Sequence, residues 1–324
     1  MTLTDQPRPR VAVVGAGALG GFYGARLARA GHDVHFLARS DYDAMRSRGL
    51  SVRSFEGDFD VPAGSFGVHR DPRDVPAPDL VLVALKATGN AAYEPLVGPM
   101  LAAGTTILTL QNGLGNEDEL ARLFGADRVT GGMAFVCINR TGPGKIHHID
   151  HGFLKIGEYQ APGAPPPGST PRVERVAALF RGAGIKVDVL PDLRRGRWEK
   201  LTWNVPFNGL GAALDLTTDR LLGGEAGMGL LTRIMREVIA TAAAEGIALP
   251  ADLIDRQVTH TKTMGAYRSS MQVDRQAGRP LEVEAILGEP LRRARQLGVP
   301  TPTLEVLYEM VRSVDPGGGR SGPV

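Results

Sequence analysis

Arg10-Val11-Ala12-Val13-Val14-Gly15-Ala16-Gly17-Ala18-Leu19-Gly20 joins a short apolar run to three closely spaced glycines. Val11 to Val14 is rich in β-branched residues, the composition of a strand buried on both faces. Leu19 to Ala30 then reads as a helix. Each glycine of the Gly-x-Gly-x-x-Gly arrangement has a physical task. Gly15 permits the tight turn from strand to helix, Gly17 lets backbone come close to a pyrophosphate, and Gly20 lets the helix pack on the strand. The helix N-terminus adds N–H groups and a positive dipole end, both suited to phosphate. A glycine-rich turn without a ligand can carry the same spacing. The strand before it and the helix after it favour a dinucleotide site, with Gly15, Gly17, Ala18, Leu19 and Gly20 as its expected lining.

The composition around this motif is that of an ordinary globular protein. A chain of 324 residues is long enough for about two domains, and a hydrophobic fraction of 43% can fill their cores. A net charge of +2 gives no reason to expect nucleic acid or an anionic membrane as partner. Cys137 is the single cysteine, so no intrachain disulfide can form, which is compatible with a reducing cytoplasm. Met1 to Arg10 lacks the apolar core of a signal peptide, and no apolar run has the length of a membrane span. A cytoplasmic protein is expected, with a disordered glycine-rich tail at 315–324.

Beyond the first helix, Asp33 to Arg39 reads as a second strand. A site selective for a free ribose usually carries Asp or Glu near the end of this strand, to accept from the 2′-hydroxyl. Here the strand ends in Ala38-Arg39-Ser40, and a cation with a hydroxyl suits a 2′-phosphate. A solvated arginine is the plainer reading, and Asp41 and Asp43 could weaken a phosphate site by pointing inward. Leu50 to Val61 reads as a small hairpin around Glu56-Gly57-Asp58. Asp79 to Lys86 is a further strand, expected beside the first, with Lys86 at the C-terminal end where ligands lie. Lys86 then faces cofactor or substrate, or is simply a surface lysine. Gly104 to Leu110 is the next strand and ends in Gln111-Asn112-Gly113-Leu114-Gly115, either a binding loop bearing an amide or a plain Asn-Gly turn. Val129–Ile138 and Lys145–Ile156 read as strands, Ala161–Gly168 as a loop, Pro171–Arg181 as a helix and Ile185–Leu190 as a last strand. His147, His148 and His151 lack the partners of a zinc site and read as polar surface, so no metal is expected.

From Asp192 the periodicity turns helical, with Pro191 as the boundary. This gives a doubly wound α/β domain of the Rossmann type at 1–191 and a mostly α-helical domain at 192–314. Helix-spaced apolar residues run over Trp198–Leu214, Met228–Glu245, Ala251–Asp274 and Leu281–Leu297. Lys200, Asn204 and Asn208 are four residues apart, so one helix face carries a cation and two amides. That stripe faces either solvent or a polar substrate. A lysine there can give a proton to a developing alkoxide, and asparagines can orient a polar molecule. Pro206 cannot donate to the carbonyl of Thr202, so a kink is expected. Tyr267 to Asp274 closes one helix, Gly278-Arg279-Pro280 breaks the chain, and Leu281 opens another. Glu282 and Glu284 then lie in a first turn, where negative charge is favoured anyway, and Pro290 marks a second break.

As a set, the stretch Gly15–Gly20, Leu85-Lys86, Gln111-Asn112-Gly113, Trp198-Glu199-Lys200-Leu201 with Asn204 and Asn208, Ser269-Ser270-Met271 with Asp274, and Gly278–Ile286 resembles the ketopantoate reductases, or 2-dehydropantoate 2-reductases. The resemblance spans Val11 to about Pro300. It implies a Rossmann domain followed by a helical one, and reduction of 2-dehydropantoate to (R)-pantoate in pantothenate biosynthesis, with hydride passing from NADPH to the C2 carbonyl. By matching motifs it implies Lys200 and Glu282 as catalytic residues and Asn112, Asn204, Asn208 and Ser270 as substrate-binding residues. Lys86 and Asn112 match positions near the cofactor, and Arg39 matches an arginine on the 2′-phosphate. Leu281-Glu282-Val283-Glu284 stands where well-known members have Thr-Glu-Ile-Asp, the Ala161–Gly168 loop is longer, and Pro206 and Pro290 fall in segments that are often unbroken helix. These departures keep the reaction type and open the substrate to other 2-keto acids. The alternatives are thus an NADPH-dependent reductase of another 2-keto acid and a non-catalytic NADPH-binding regulator. The Lys/Asn/Asn face speaks against the regulator, which needs no proton donor. The expected partner is a small 2-keto acid, and a homodimer is left open.

Overall fold

The structure is a computed structural model that describes residues 9–318. The chain forms two compact units. The first holds the chain up to Gln111 together with Asn116–Leu193, and the second holds Asn112–Gly115 and the chain from Arg194 onward.

Among the described residues the first unit contains a ten-stranded mixed sheet. Its strands are β1 (Arg10–Val14), β2 (Asp33–Leu37), β3 (Leu50–Ser54), β4 (Phe59–Val61), β5 (Gly67–His69), β6 (Leu80–Val83), β7 (Thr106–Thr109), β8 (Val129–Gly142), β9 (Lys145–Glu158) and β10 (Val187–Val189). They run in the order β4-β3-β9-β8-β7-β6-β1-β2-β5, with β10 paired to β9. β1 lies between β2 and β6, parallel to both. Its two faces are both covered, which explains its unbroken apolar sequence. Val11 and Val13 join the layer of Phe22, Leu27 and Phe36, while Ala12 and Val14 join Tyr93, Val97 and Ile107. The covering helices are α1 (Ala18–Arg29), α2 (Tyr42–Arg48), α3 (Tyr93–Val97), α4 (Asn116–Phe124) and α5 (Pro171–Gly182). The expected hairpin over Leu50–Val61 is present as antiparallel β3 and β4, and β8 and β9 form a long antiparallel pair.

One expectation fails in this unit. His147 and His151 are exposed, but His148 is fully buried. Its Nδ1 lies 2.9 Å from Ser54 Oγ and its Nε2 lies 2.9 Å from the carbonyl oxygen of His151. The ring packs against Phe22 and Phe55. Strand alternation put His147 and His148 on opposite faces, and the inward face is the one α1 covers.

The second unit is helical, with α6 (Leu193–Leu214), α7 (Thr218–Leu222), α8 (Glu225–Ala244), α9 (Leu253–Thr263), α10 (Ser270–Gln276), α11 (Glu289–Gln296) and α12 (Pro302–Val314). Trp198, Val205, Leu231, Met235, Ile286 and Leu304 are central to its core. The single helix expected over Ala251–Asp274 is two. Gly265 adopts a left-handed φ of 62° after α9, and Ser269 caps α10 by accepting from Gln272 N at 3.4 Å. Tyr267–Asp274 therefore opens a helix where it was expected to close one. α6 runs through Pro206. Ahead of α11, Glu284–Gly288 forms a π-helical turn. Pro290 has no N–H for the carbonyl of Ile286, and the turn before it is the widened one. Of the glycine-rich tail, Asp315–Gly318 form a turn in which Asp315 Oδ1 accepts from Leu281 N at 2.9 Å, and 319–324 lie outside the described residues. No helix among the described residues is long and apolar enough to cross a membrane.

Candidate active site

In the first unit the glycine turn joins the C-terminal end of β1 to α1. Gly15 has a φ of 103°, and a Cβ there would sit 2.8 Å from the backbone of Ala84 and Leu85. A Cβ on Gly20 would meet the carbonyl oxygen of Gly15 at 2.1 Å and Val13 Cγ1 at 2.9 Å, so this glycine sets how closely α1 lies on β1. Gly17 is different in kind, because a Cβ there would meet no heavy atom within 4 Å. It opens to space at the mouth of α1, whose first turn carries no acidic residue and whose N-cap supplies no side-chain bond. Backbone N–H groups at such an end are available to an anion. This cradle fits the pyrophosphate of a dinucleotide.

Arg39 lies just beyond β2, is exposed, and has no ion-pair partner among the described residues. The two carboxylates that follow are both engaged. Asp41 is buried and held by Arg140, whose Nη2 lies 2.9 Å from Oδ2, and by Gly144 N at 2.8 Å. Burial pushes its carboxyl up, but the bonds from Arg140, Gly144 N and Ser40 outweigh it, and the net shift is downward. Asp43 is exposed and pairs with Arg70 at 2.9 Å. Lys86 is exposed three residues beyond the end of β6. After β7, Gln111 is buried, and its Oε1 accepts from the hydroxyls of Tyr93 and Thr109. Its Nε2 donates to Asn90 Oδ1 at 2.8 Å, and Asn90 Nδ2 donates to Asn116 Oδ1 at 2.8 Å. This amide chain fixes the backbone on which the next loop starts.

The second unit brings Lys200 and Asn112 together. Lys200 Nζ donates to Asn112 Oδ1 at 3.0 Å. Asn112 is held there by the loop that follows it. Gly113 has a φ of 90°, and a Cβ on it would lie 2.3 Å from the carbonyl oxygen of Ala285. Leu114 N donates to the same oxygen at 2.9 Å. Glu282, three residues earlier, is buried. Lys200 is pushed down to about 7 by loss of water and by the neighbouring Arg197 guanidinium, while Glu282 pulls it the other way. Glu284 is a separate case. It is exposed, accepts from Arg292 at 2.6 Å and from the Tyr308 hydroxyl at 2.8 Å, and serves packing around α12.

One turn beyond Lys200, Asn204 is 6% exposed, and its amide has no hydrogen-bond partner among the described residues. Buried amides are normally paired, so an unpaired one on the lysine's own face marks a place for a polar ligand. Asn208, a further turn on, accepts through Oδ1 from Met271 N at 3.1 Å and from the Ser270 hydroxyl at 3.2 Å. Part of its work is thus to hold the start of α10 against α6. The base of α6 is fixed by Glu245, which accepts from Arg194 at 2.7 Å, Trp198 Nε1 at 3.0 Å and Arg293 at 3.0 Å.

Two family models together match nearly the whole chain. Residues 11–161 match the family described as ketopantoate reductase PanE/ApbA, and residues 192–315 match its C-terminal counterpart. The chain belongs to the ketopantoate reductase family. It is 42% identical over 313 residues to a 2-dehydropantoate 2-reductase of Nostoc sp., covering 97% of each chain. It is 31% identical to a 2-dehydropantoate 2-reductase of Halobacterium salinarum, covering 94% of this chain and 98% of the relative. Among solved structures, a 2-dehydropantoate 2-reductase from Geobacter metallireducens is 46% identical with a TM-score of 0.89, covering 94% of this chain and 99% of the other. The resemblance drawn from the motifs is thereby shown. As a ketopantoate reductase the chain is a dinucleotide-binding oxidoreductase acting on a small keto acid.

Sequence reasoning missed three groups in this ketopantoate reductase. Arg197 lies three residues before Lys200, and a charged side chain next to Trp198 reads as surface until the structure buries it. Asn90 gave no signal, because its partners Gln111 and Asn116 are distant in sequence. Arg140, 99 residues from Asp41, was equally invisible.

Proposed function

We propose that this chain reduces 2-dehydropantoate to (R)-pantoate with NADPH, and that Lys200 is the proton donor. Bound at the Gly15–Gly20 turn, NADPH supplies the hydride. Gly17 and the N–H groups of Ala18, Leu19 and Gly20 would hold its pyrophosphate, Arg39 its 2′-phosphate, and Lys86 would lie near its other half. Lys200 Nζ gives a proton to the C2 carbonyl oxygen as negative charge develops there, leaving a hydroxyl on carbon and a neutral amine on the enzyme. Asn112 accepts from the same ammonium at 3.0 Å and so restricts where Nζ can point. Buried Glu282 favours the ammonium form that must donate, and Arg197 keeps that proton loosely held. Asn204, Asn208 and Ser270 would orient the polar groups of the substrate.

The observation that carries this reading is a half-buried lysine tied to Asn112, one helical turn from the buried, unpartnered amide of Asn204. Loss of NADPH absorbance with 2-dehydropantoate and with a panel of other 2-keto acids, reported as ratios of kcat/KM, tests it. 2-Dehydropantoate should lead the panel. A higher ratio for another 2-keto acid would reassign the substrate, and turnover of none would point to a regulator.

A further inference from the structure

The first two residues after Arg39 pose an electrostatic problem. Asp41 lies two positions beyond the arginine, and a bare carboxylate there would repel a phosphate and attract a ribose hydroxyl. Yet this carboxylate is almost completely enclosed by donors. Arg140 Nε lies 3.0 Å from Oδ1 and 3.1 Å from Oδ2, and its Nη2 lies 2.9 Å from Oδ2. Gly144 N donates to Oδ1 at 2.8 Å, and the Ser40 hydroxyl donates to Oδ2 at 2.9 Å. Arg140 Nη2 also reaches Ser40 Oγ at 3.5 Å, so the guanidinium spans Asp41 and the residue next to Arg39. The side chain of Asp41 is 7% exposed and that of Arg140 is 32% exposed, which leaves the cation partly open to solvent and the anion shut away. The only other carboxylate of this segment, Asp43, is turned out to Arg70.

We propose that Arg140 is a specificity-determining residue: by neutralising and sequestering Asp41 it makes the end of β2 accept a 2′-phosphate and reject a free 2′-hydroxyl. The inference rests on the reading of Arg39 as the 2′-phosphate residue. Arg140 acts through Asp41, so it is a positioning residue. The Asp41 carboxyl stays ionised, held low by its donors despite burial, so the charge that Arg140 cancels is a permanent one at neutral pH.

The test measures binding, by calorimetry, of 2′,5′-ADP and 5′-AMP, the adenosine half of the cofactor with and without the phosphate. The wild-type protein should bind 2′,5′-ADP at least about tenfold more tightly, as expected for one charge-assisted contact. Arg140→Met should lower that ratio about tenfold while 5′-AMP binds as well as before or better. Adding Asp41→Asn to Arg140→Met should restore the ratio, because the charge to be cancelled is gone. Asp41→Asn alone, which spares the arginine and serves if Arg140→Met does not fold, should raise 2′,5′-ADP affinity several-fold. An unchanged ratio in Arg140→Met, an equal loss of both ligands, a double variant as poor as the single, or a fall in 2′,5′-ADP affinity in Asp41→Asn would each overturn the proposal. Equal binding of the two ligands by the wild type would instead overturn the Arg39 reading on which it stands.

Discussion

At the residue scale the assignment turns on Lys200 and two glutamates that the sequence left side by side. Lys200, at about 7, has its ammonium and amine forms in comparable amounts at neutral pH, the condition for an efficient acid. If Lys200 donates the proton, as proposed, the donor is the protonated form, which prevails below about 7, so kcat/KM for reduction should fall as pH rises through that value in the free enzyme. Lys200→Ala should reduce kcat by about 10²- to 10⁴-fold and remove that alkaline limb, with NADPH affinity little changed. A loss below about threefold, or a persisting limb, would assign the proton to another group. Helix-end electrostatics alone favours Glu282 and Glu284 equally, and only the family resemblance singles out Glu282. Burial beside Lys200 separates them, since Glu284 spends its oxygens on Arg292 and Tyr308. Glu282→Gln should therefore lower kcat and shift the alkaline limb to lower pH, as the charge that favours the ammonium is removed. Glu284→Gln should leave the profile in place. Paired pH profiles check this, and an equal effect of both changes would mean that neither acts on Lys200.

At the element scale, what could be read from sequence follows from how local the cause is. β1, β6, the Leu50–Val61 hairpin and the strands β8 and β9 were legible because alternation, apolar runs and glycine turns are properties of neighbouring residues. The break between α9 and α10 was not, because the apolar spacing runs on across it and only Gly265 and the Ser269 cap mark it. The π-helical turn at Glu284–Gly288 was likewise hidden, although Pro290 hinted at a disturbance. That turn matters because its Ala285 carbonyl receives Leu114 N and so places Asn112 on Lys200. Gly113 makes the approach possible, having both a left-handed φ and no room for a side chain. Gly113→Ala should cost about 1–3 kcal/mol of stability from backbone strain alone, and more if Ala285 cannot move. It should also lower kcat, because Asn112 would leave Lys200. Denaturant melts and kinetics taken together test this, and a variant of normal stability and normal kcat would show that the loop tolerates displacement.

At the scale of the whole molecule the decisive property is which dinucleotide stabilises the fold. The family and the division into an α/β unit and a helical unit follow from residues spread over almost the full length, but on the proposed function the choice between NADPH and NADH falls to one strand end. Arg39 is exposed and unpaired among the described residues, while Asp41 and Asp43 are occupied by Arg140 and Arg70. A guanidinium matches a phosphate through a fork of donors and gains nothing comparable from a hydroxyl. NADPH should therefore be preferred over NADH by at least about tenfold in kcat/KM. A ligand that binds only the folded state adds stability of RT ln(1 + [L]/Kd), about 2.7 kcal/mol at a hundred times Kd. At equal concentrations NADPH should accordingly raise Tm more than NADH. In Arg39→Ala the NADPH increment should shrink toward that of NADH, which itself should hardly change. Because Arg39 is exposed, the difference between the two cofactors should also narrow as salt is raised through the range where the screening length falls below about 10 Å. Melts of the wild type and of Arg39→Ala with each cofactor, at low and high salt, measure all three effects. Equal increments from NADPH and NADH in the wild type would remove Arg39 from the phosphate site.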